Sequence, residues 1–437
     1  MPRYLFWMRL DIDYYELIEC ELLSVAQLYG VDLKDFNLSY FKDKRCTLYS
    51  EQLREHYSSY FNGDSTDFSK TDTSNLNIFL YGTVESEQIV KSIFDRCILV
   101  KSALNIWNEA TDYGHLASKL LEENKREIEK YLKNKKWSVK FTRHNNKSVG
   151  NNVVEILGKL SAVFDDAGEV DLDNPDTRIV IIEKYTINKK TVEKKLEKIY
   201  FGHLLYERFN NLWWNDFNLS ARPILGPTSL DTSLSFIMSN LAKVGPGSVV
   251  YDPFVGSGGA LISSSIFGGW CFGSDIDMRI LRGWGISYRN PNTDTEYGST
   301  NVFVNFNHYD LQVPEIIRCD IKYSPFKDSS VSDGWVDSII TDPPYGNRAS
   351  FAHNKLMKTI NEDLKLNNCF ELIEILLGVS HRLLVKGGRL VFLLPANTSN
   401  VSQSLKTVDS DRFKLIHIGQ QMLSGGVSRF IVTLEKC

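Results

Sequence analysis

Long hydrophobic runs, paired cysteines and an export signal are all missing from this sequence of 437 residues. The longest apolar stretches, at 372–379 and 390–394, fall well short of the roughly 18 residues that a membrane-spanning helix requires. The seven cysteines are dispersed, without a Cys-x-x-Cys pair or a nearby histidine, so we expect neither a zinc site nor a disulfide framework. Because the chain also starts without an apolar signal core, we predict a cytoplasmic protein.

A strong net charge is missing too, since 50 Lys and Arg residues face 54 Asp and Glu residues and leave a formal charge of -4. Two segments depart from this balance. Residues 119–147 contain ten Lys and Arg against four Glu, and residues 184–198 contain six Lys against two Glu. Such segments form either solvated helix faces or surfaces that bind phosphate, and both alternatives stay open at this point.

The length exceeds what a single hydrophobic core usually supports, so we expect several domains. A strand at 3–10, a helix at 14–29 and a strand–helix–strand series at 77–106 predict an α+β unit over residues 1–110. A second unit at 111–200 would contain a basic helix that ends near Lys136 and further strands at 137–143 and 178–185. We expect residues 201–222, which include Trp213 and Trp214, to connect the two halves.

From residue 223 to 437 the pattern becomes regular, with apolar strands that alternate with helices. This alternation predicts a mainly parallel sheet covered by helices on both faces. The last two strands are close enough in sequence to form a hairpin at one edge. The predicted strands lie at 248–251, 270–274, 315–319, 336–341, 389–394, 414–418 and 429–434.

A glycine-rich segment, Asp-Pro-Phe-Val-Gly-Ser-Gly-Gly at 252–259, follows the first of these strands and leads into a helix. Open α/β sheets bind nucleotides at such turns. Asp275 ends the second strand, where a carboxylate can accept hydrogen bonds from ribose hydroxyls, and Asp320 follows the third, where it could accept from an adenine amine. Each aspartate alone would also suit a helix cap, but their succession favours an adenosine-containing ligand. The predicted binding residues are Thr228, Ser229, Asp252, Phe254, Gly256, Ser257, Gly258, Asp275, Ile276 and Asp320.

The most specific motif is Asp342-Pro343-Pro344-Tyr345, at the end of the apolar strand 336–341. Two prolines remove two backbone donors and stiffen the turn. A planar exocyclic amine could then donate one proton to the Asp342 carboxylate and one to the Pro343 carbonyl, while Tyr345 stacks on the base. We therefore predict that these four residues are catalytic, although a rigid turn with a packing tyrosine would have the same sequence.

In this order, the segment 252–259, Asp275, Asp320 and residues 342–345 resemble the motifs of class I amino-methyltransferases. The segments Gly-Pro-Thr-Ser-Leu-Asp at 226–231, Val-Asp-Leu-Asp-Asn-Pro at 170–175 and Ser-Arg-Phe-Ile-Val-Thr at 428–433 resemble the catalytic subunits of tRNA (guanine(10)-N2)-methyltransferases. The resemblance implies an α/β fold, in which a Rossmann-like methyltransferase domain follows a ferredoxin-like unit and a THUMP unit. It also implies S-adenosylmethionine as cofactor, tRNA as substrate, N2-methylguanosine as product and no metal in this chain.

The resemblance further implies a partner, a small zinc-binding activator protein. In the class I strand order, the strand at Glu315 to Cys319 would lie at an open sheet edge. Because exposed apolar edges invite strand addition, we predict that the activator covers this edge. Burial of Ile316 and Ile317 within the chain itself would contradict this prediction.

Two other functions are compatible with these motifs. Adenine-N6 methyltransferases that act on RNA or DNA use the same tetrapeptide, and only the long basic N-terminal half favours a folded tRNA. A catalytically silent RNA-binding scaffold could also keep the methyltransferase fold. We would expect such a scaffold to have lost Asp252, Asp275 or Asp342, and all three are present.

Overall fold

The structure is a computed structural model, and it describes most of the chain. The described residues are 2–9, 12–32, 36–38, 77–146, 153–188, 191, 193–209, 212–227, 229–284, 288–290, 299–326, 334–344, 362–395, 411–422 and 428–437. They divide into two compact units: the first includes residues 2–9 and 77–209, and the second includes residues 12–30 and the described residues after 211. Among the described helices, none combines the length and the apolar character needed to cross a membrane.

The first unit is built on a six-stranded sheet in the order β2-β1-β3-β6-β5-β4. All neighbouring strands are antiparallel except β4 and β5, which are parallel. The apolar run Ile179–Ile182 of β5 is buried on both faces of the sheet, as expected for an interior strand. The elements are β1 (Arg3–Met8), β2 (Phe79–Thr83), α2 (Glu87–Arg96), β3 (Val100–Ala110), α3 (Tyr113–Glu123), α4 (Lys125–Tyr131), β4 (Trp137–His144), α5 (Val153–Lys159), α6 (Ser161–Phe164), β5 (Thr177–Ile187) and β6 (Lys194–Glu207), and α1 belongs to the second unit.

This sheet differs from the two separate units that the sequence pattern suggested. Strands from 1–110 and from 111–200 join the same sheet, and the predicted boundary at residue 200 falls inside β6. The pattern missed β6 because its first half carries Lys194, Lys195 and Lys198, which resemble a solvated face. Its second half pairs with β3 and β5, which places the strand in the interior of the sheet.

The second unit contains a seven-stranded sheet in the order β11-β9-β8-β12-β13-β15-β14. The first five strands run parallel, and β15 is antiparallel to both β13 and β14. The prediction of a mainly parallel sheet with a hairpin at one edge is therefore confirmed. The elements are α1 (Ile18–Leu28), β7 (Ile224–Leu225), α7 (Thr232–Leu241), β8 (Val249–Asp252), α8 (Gly259–Ile266), β9 (Trp270–Asp275), α9 (Met278–Arg282), β10 (Tyr288–Arg289), α10 (Phe303–His308), β11 (Glu315–Arg318), β12 (Val336–Thr341), α11 (Glu362–Leu383), β13 (Leu384–Pro395), β14 (Phe413–Met422) and β15 (Ser428–Lys436), with 3-10 helices at Ile12–Leu17, Trp213–Phe217 and Ile321–Tyr323.

The helix α1 belongs to this second unit, although the sequence pattern assigned it to the N-terminal unit 1–110. Buried polar groups attach it there: Asn240 Nδ2 donates to Glu21 Oε1 at 2.7 Å, and Arg389 Nη1 donates to Ser24 Oγ at 3.0 Å. The Glu21 side chain is fully buried. A helical pattern shows that a helix has a buried face, but it does not identify the surface that covers this face.

Candidate active site

Four aspartates lie at the carboxyl edge of the parallel sheet in the second unit. Asp252 and Asp275 are the last residues of β8 and β9, Asp342 follows β12 directly, and Asp320 follows β11 by two residues. Because β11, β9, β8 and β12 are adjacent in this order, the four carboxylates form a row at one edge. This is the edge at which open α/β sheets bind their ligands.

Asp252 is the most deeply buried member of the row, with 2% of its surface exposed. Its Oδ1 accepts hydrogen bonds from the Phe254 backbone N–H at 2.9 Å and from the Thr341 hydroxyl at 2.6 Å. Burial nevertheless raises the pKa of Asp252 to about 7, and the carboxylates of Asp275 and Asp342 add to this increase. A cationic ligand at this edge would relieve the unfavourable burial of negative charge.

Asp275 joins the first two loops of the edge. Its Oδ2 accepts from the Gly256 backbone N–H and its Oδ1 from the Asp277 backbone N–H, both at 2.9 Å. Burial raises the pKa of Asp275 as well. Each oxygen of a carboxylate has a second lone pair, so Asp275 can hold the loop and still accept from a diol. Beside it, the side chain of Ile276 is 54% exposed and offers an apolar surface at the same edge.

The glycine-rich loop between β8 and α8 takes backbone conformations that suit glycine. Gly256 has φ +52° and Gly258 has φ +84°. A Cβ atom at Gly258 would also lie 3.1 Å from side-chain atoms of Phe306 and Val302. Between them, the Ser257 hydroxyl lies 3.3 Å from the Ser229 hydroxyl, which links the loop to the segment before α7. At Gly256, by contrast, a Cβ atom would have only the Phe254 carbonyl oxygen nearby, at 3.9 Å, so the loop is open to a ligand at this residue.

Asp320 and the residues after it have clear structural roles. Asp320 Oδ1 accepts from the Lys322 backbone N–H at 3.0 Å and so caps the 3-10 helix Ile321–Tyr323. Phe326 packs against Tyr251 and Trp335 at ring-centroid distances of 5.4 and 5.6 Å. Its ring is thus part of the aromatic packing beside β8 and β12, and the role expected for Asp320 stays a prediction.

The turn after β12 carries the predicted catalytic motif. The Asp342 side chain is 36% exposed, and its Oδ2 lies 3.7 Å from Arg429 Nη1. Pro343 is buried and Pro344 is partly exposed. Neither proline has a backbone N–H, so these two residues offer carbonyl acceptors and no backbone donor. The predictions for Tyr345 and Thr228 concern positions outside the described residues.

Two residues at this edge were absent from the sequence-based set. Thr341 donates to Asp252, and Arg429 forms an ion pair with Asp342. Thr341 had a signal, because it is a polar residue at the end of an otherwise apolar strand. The sequence contained no such signal for Arg429, because its position beside Asp342 depends on the strand order. Within the described residues, no group of three or more His, Cys, Asp and Glu side chains could hold a metal ion, and the absence of a metal from this chain stays a prediction.

Two protein-family models match the sequence. The model described as "Tmrp11 THUMP N-terminal domain" matches residues 65–208, and the model described as "RMKL-like, methyltransferase domain" matches residues 220–283. The second match includes the glycine-rich loop, Asp252 and Asp275. The order of the two matches agrees with a THUMP N-terminal region that precedes a methyltransferase domain.

Curated relatives match over most of the chain. The tRNA (guanine(10)-N(2))-methyltransferase TRMT11 of Bos taurus is 29% identical over 84% of this chain and 81% of its own length. The protein of the same name from Dictyostelium discoideum is 27% identical over 100% of this chain and 82% of its own length. Among solved structures, TrmN from Thermus thermophilus aligns with 100% of both chains at 16% identity and a TM-score of 0.43.

Proposed function

We propose that this chain, which belongs to the THUMP-containing class I amino-methyltransferases, transfers a methyl group from S-adenosylmethionine to the exocyclic N2 of guanine 10 in tRNA. The observation that carries this proposal is the Asp342-Pro343-Pro344 turn, which lies in the same acidic row as Asp252 and Asp275. The substrate is supported by the names of the relatives, which are 27–29% identical over most of the chain.

The residues at the sheet edge fit S-adenosylmethionine in charge and in shape. The buried carboxylates of Asp252 and Asp275 suit a ligand with an ammonium group, a sulfonium group and a ribose diol. The backbone at Gly256, where a Cβ atom would have only the Phe254 carbonyl oxygen nearby at 3.9 Å, leaves room for close approach. When bound, the cofactor supplies an electrophilic methyl group. Asp275 would accept from the ribose hydroxyls, while Ser229, Ser257 and Ile276 would border the same ligand.

The Asp342 turn would orient the substrate amine. The Asp342 carboxylate accepts one N–H of the guanine amine and the Pro343 carbonyl accepts the other, which aims the nitrogen at the methyl group. As the new N–C bond forms and the C–S bond breaks, positive charge grows on the nitrogen, and the carboxylate of Asp342 stabilises it. The carboxylate then receives the proton that the nitrogen releases. Most of the rate increase would come from position and electrostatics.

The first test is transfer of labelled methyl groups to unmodified tRNA transcripts, followed by nucleoside mass spectrometry. We expect N2-methylguanosine, and none from a transcript that carries inosine at position 10, because inosine lacks the exocyclic amine. Asp342→Ala should abolish transfer with nearly unchanged cofactor affinity, whereas Asp275→Ala should weaken cofactor binding. N6-methyladenosine as the product would contradict the proposal in favour of an adenine substrate, and the absence of any product, both with and without the small zinc-binding activator protein, would favour a silent RNA-binding protein.

The proposed activator protein would cover the edge strand β11, so that the enzyme is a heterodimer. Three features support this surface: β11 is an edge strand of the sheet, Ile316 is only partly buried and Ile317 is 38% exposed. On the neighbouring strand β9, the side chain of Trp270 is 62% exposed. An apolar edge of this kind is a site for strand addition.

Co-purification with the small zinc-binding protein tests this surface. Ile317→Asp should abolish co-purification and leave cofactor binding intact, because the change lies on an exposed side chain. Val154→Asp is a matched control, since Val154 is an 81% exposed apolar residue of the first unit. Equal co-purification of both variants with the zinc protein would contradict the proposed position.

The first unit would supply the tRNA contacts, and we retain its division into ferredoxin-like and THUMP parts as a proposal. Five cations of the two basic stretches already pair with carboxylates of the same unit, so other exposed lysines of these stretches are better candidates for phosphate contacts. Lys133 and Lys135 are exposed and flank Asn134 in the turn between α4 and β4. The paired cations are Lys136 with Asp171, Lys140 with Glu207, Arg143 with Glu183, Lys184 with Glu197 and Lys198 with Glu109.

We also propose a cytoplasmic location. Cys271 and Cys319 are free thiols, which is usual for proteins of a reducing compartment.

A further inference from the structure

Arg429 lies at the catalytic edge because of the direction of β15. The strand is antiparallel to β13, so its first residues lie next to the end of β13, and Arg429 is opposite Pro395. On its other side, Arg429 is opposite Gln421 in β14. The carboxyl end of β12 is at this same edge, because β12 and β13 are parallel and Thr341 is opposite Phe392. A residue near the end of the chain thereby reaches the Asp342 turn.

The Arg429 side chain contacts two acceptors at this edge. Its Nη1 lies 3.7 Å from Asp342 Oδ2, and its Nε donates to Gln421 Oε1 at 2.6 Å. The Arg429 side chain is 19% exposed, and Gln421 is 4% exposed. The hydrogen bond to the buried Gln421 fixes one side of the guanidinium plane and directs the other nitrogens towards Asp342.

Gln421 is itself held by a chain of hydrogen bonds, in which Tyr14 is buried and Asp231 is exposed. Its Nε2 donates to the Tyr14 hydroxyl at 3.3 Å, and this hydroxyl donates to Asp231 Oδ1 at 2.7 Å. Asp231 Oδ1 also accepts from the Leu234 backbone N–H at 2.9 Å, as the N-cap of α7. The order Asp342, Arg429, Gln421, Tyr14, Asp231 thus connects an exposed turn to a rigid helix terminus.

We propose that Arg429 is a positioning residue for Asp342: its cation orients the carboxylate and stabilises its charge, and Gln421, Tyr14 and Asp231 hold the cation in place. This inference rests on the proposed role of Asp342 as acceptor for the guanine amine. It goes beyond that role because it assigns the orientation of the carboxylate to a residue of another strand.

Two physical reasons favour such a residue. Asp342 follows the end of its strand and is partly exposed, so its side chain would otherwise lose rotamer freedom in the transition state. In addition, the two carboxylates of Asp252 and Asp342 repel each other: burial is the main cause of the raised pKa of Asp252, and the charge of Asp342 adds to it. A guanidinium beside Asp342 offsets this repulsion.

The test compares the wild type with Arg429→Gln, Arg429→Lys and the control Lys414→Gln, in the complex with the activator if transfer requires it. Lys414 is an exposed cation near the other end of β14, so its replacement changes the net charge equally. We expect Arg429→Gln to lower the single-turnover rate by about 10- to 100-fold. The KM for tRNA and the affinity for S-adenosylmethionine should not change. Arg429→Lys should recover part of the rate, and Lys414→Gln should have no effect.

A double-mutant cycle with Asp342→Asn shows whether Arg429 acts through Asp342. In the Asp342→Asn background, Arg429→Gln should cause little further loss. Equal losses in both backgrounds would overturn the inference, and so would a loss that appears only in the KM for tRNA. If the rate of Asp342→Asn is too low to measure, the test depends on Arg429→Lys instead. If Arg429→Lys then recovers no activity although its cofactor affinity is unchanged, the inference is overturned. Failure of the wild type to methylate guanine would instead contradict the proposed function.

Discussion

The Tyr14 hydroxyl donates a 2.7 Å hydrogen bond to Asp231 Oδ1, across 217 positions of the sequence. Asp231 caps α7, and Tyr14 is a buried residue of the 3-10 helix at the start of the chain. The first thirty residues therefore contribute to both units: they provide β1 of the first unit, and residues 12–30 are part of the methyltransferase unit.

Replacing Tyr14 with phenylalanine tests this bond and the orientation of Arg429 together. Tyr14→Phe removes the acceptor for Gln421 and the donor to Asp231, so we expect a loss of about 1 kcal/mol in the free energy of unfolding. The single-turnover rate of methyl transfer should also fall by a few-fold, because Arg429 is held less firmly. Tyr29→Phe is a matched control, since Tyr29 is 36% exposed. Indistinguishable denaturation midpoints for the two variants would argue against a structural contribution from the Tyr14 hydroxyl.

A fragment that begins at residue 211 should fail to fold stably. Without α1, the buried groups of Asn240 and Arg389 lose partners in Glu21, Ser24 and Gln27. Arg389 keeps its ion pair with Glu435, but each buried group left without a hydrogen-bond partner typically costs about 1–3 kcal/mol. Thermal unfolding and cofactor binding should both recover when residues 11–30 are fused to residue 211 through a flexible linker. A stable, cofactor-binding fragment without this helix would contradict the prediction.

Cofactor binding near pH 7 should release protons. Burial raises the pKa of Asp252 to about 7, so a large fraction of this carboxyl is protonated in the free protein at that pH. A bound cation favours the carboxylate and lowers this pKa, so roughly half a proton should leave per cofactor bound. Affinity should therefore rise as the pH increases through 7.

Isothermal titration calorimetry in phosphate and in Tris, whose ionisation enthalpies differ, measures this release. Asp252→Asn is the control, because the amide oxygen can still accept from Phe254 and Thr341 but carries no titratable proton. Equal binding heats of the wild type in the two buffers would contradict the prediction.

Charge reversal at Lys133 and Lys135 should weaken tRNA binding. Both side chains are exposed, and each lost phosphate contact lowers the slope of log affinity against log salt by roughly 0.7–0.9. We expect a higher KM for tRNA and an unchanged cofactor affinity for the Lys133→Glu, Lys135→Glu double variant. Lys140→Gln serves as the comparison, because Lys140 already pairs with Glu207 at 2.5 Å. A similar rise in the KM for tRNA in the double variant and in Lys140→Gln would show that the exposure of a lysine does not identify it as a phosphate contact.

Much of the second unit could be predicted from local patterns. The strand at 336–341 has the same bounds in the structure, and the strands before the glycine-rich loop and Asp275 differ by a residue at most at each end. These strands are short, apolar and followed by turn residues, which are features of adjacent positions. The first unit was harder to predict, because three charged lysines lie in the first half of β6, although β6 is an interior strand.

The sequence by itself determined that Asp252, Asp275, Asp320 and Asp342 are at strand ends, because that placement depends only on neighbouring residues. It also determined that these ends share one edge, since parallel strands have their carboxyl ends on the same side. The tertiary structure decided that α1 joins the methyltransferase unit and that Arg429 reaches Asp342. Both depend on strand order and on contacts between distant residues, which local periodicity does not encode.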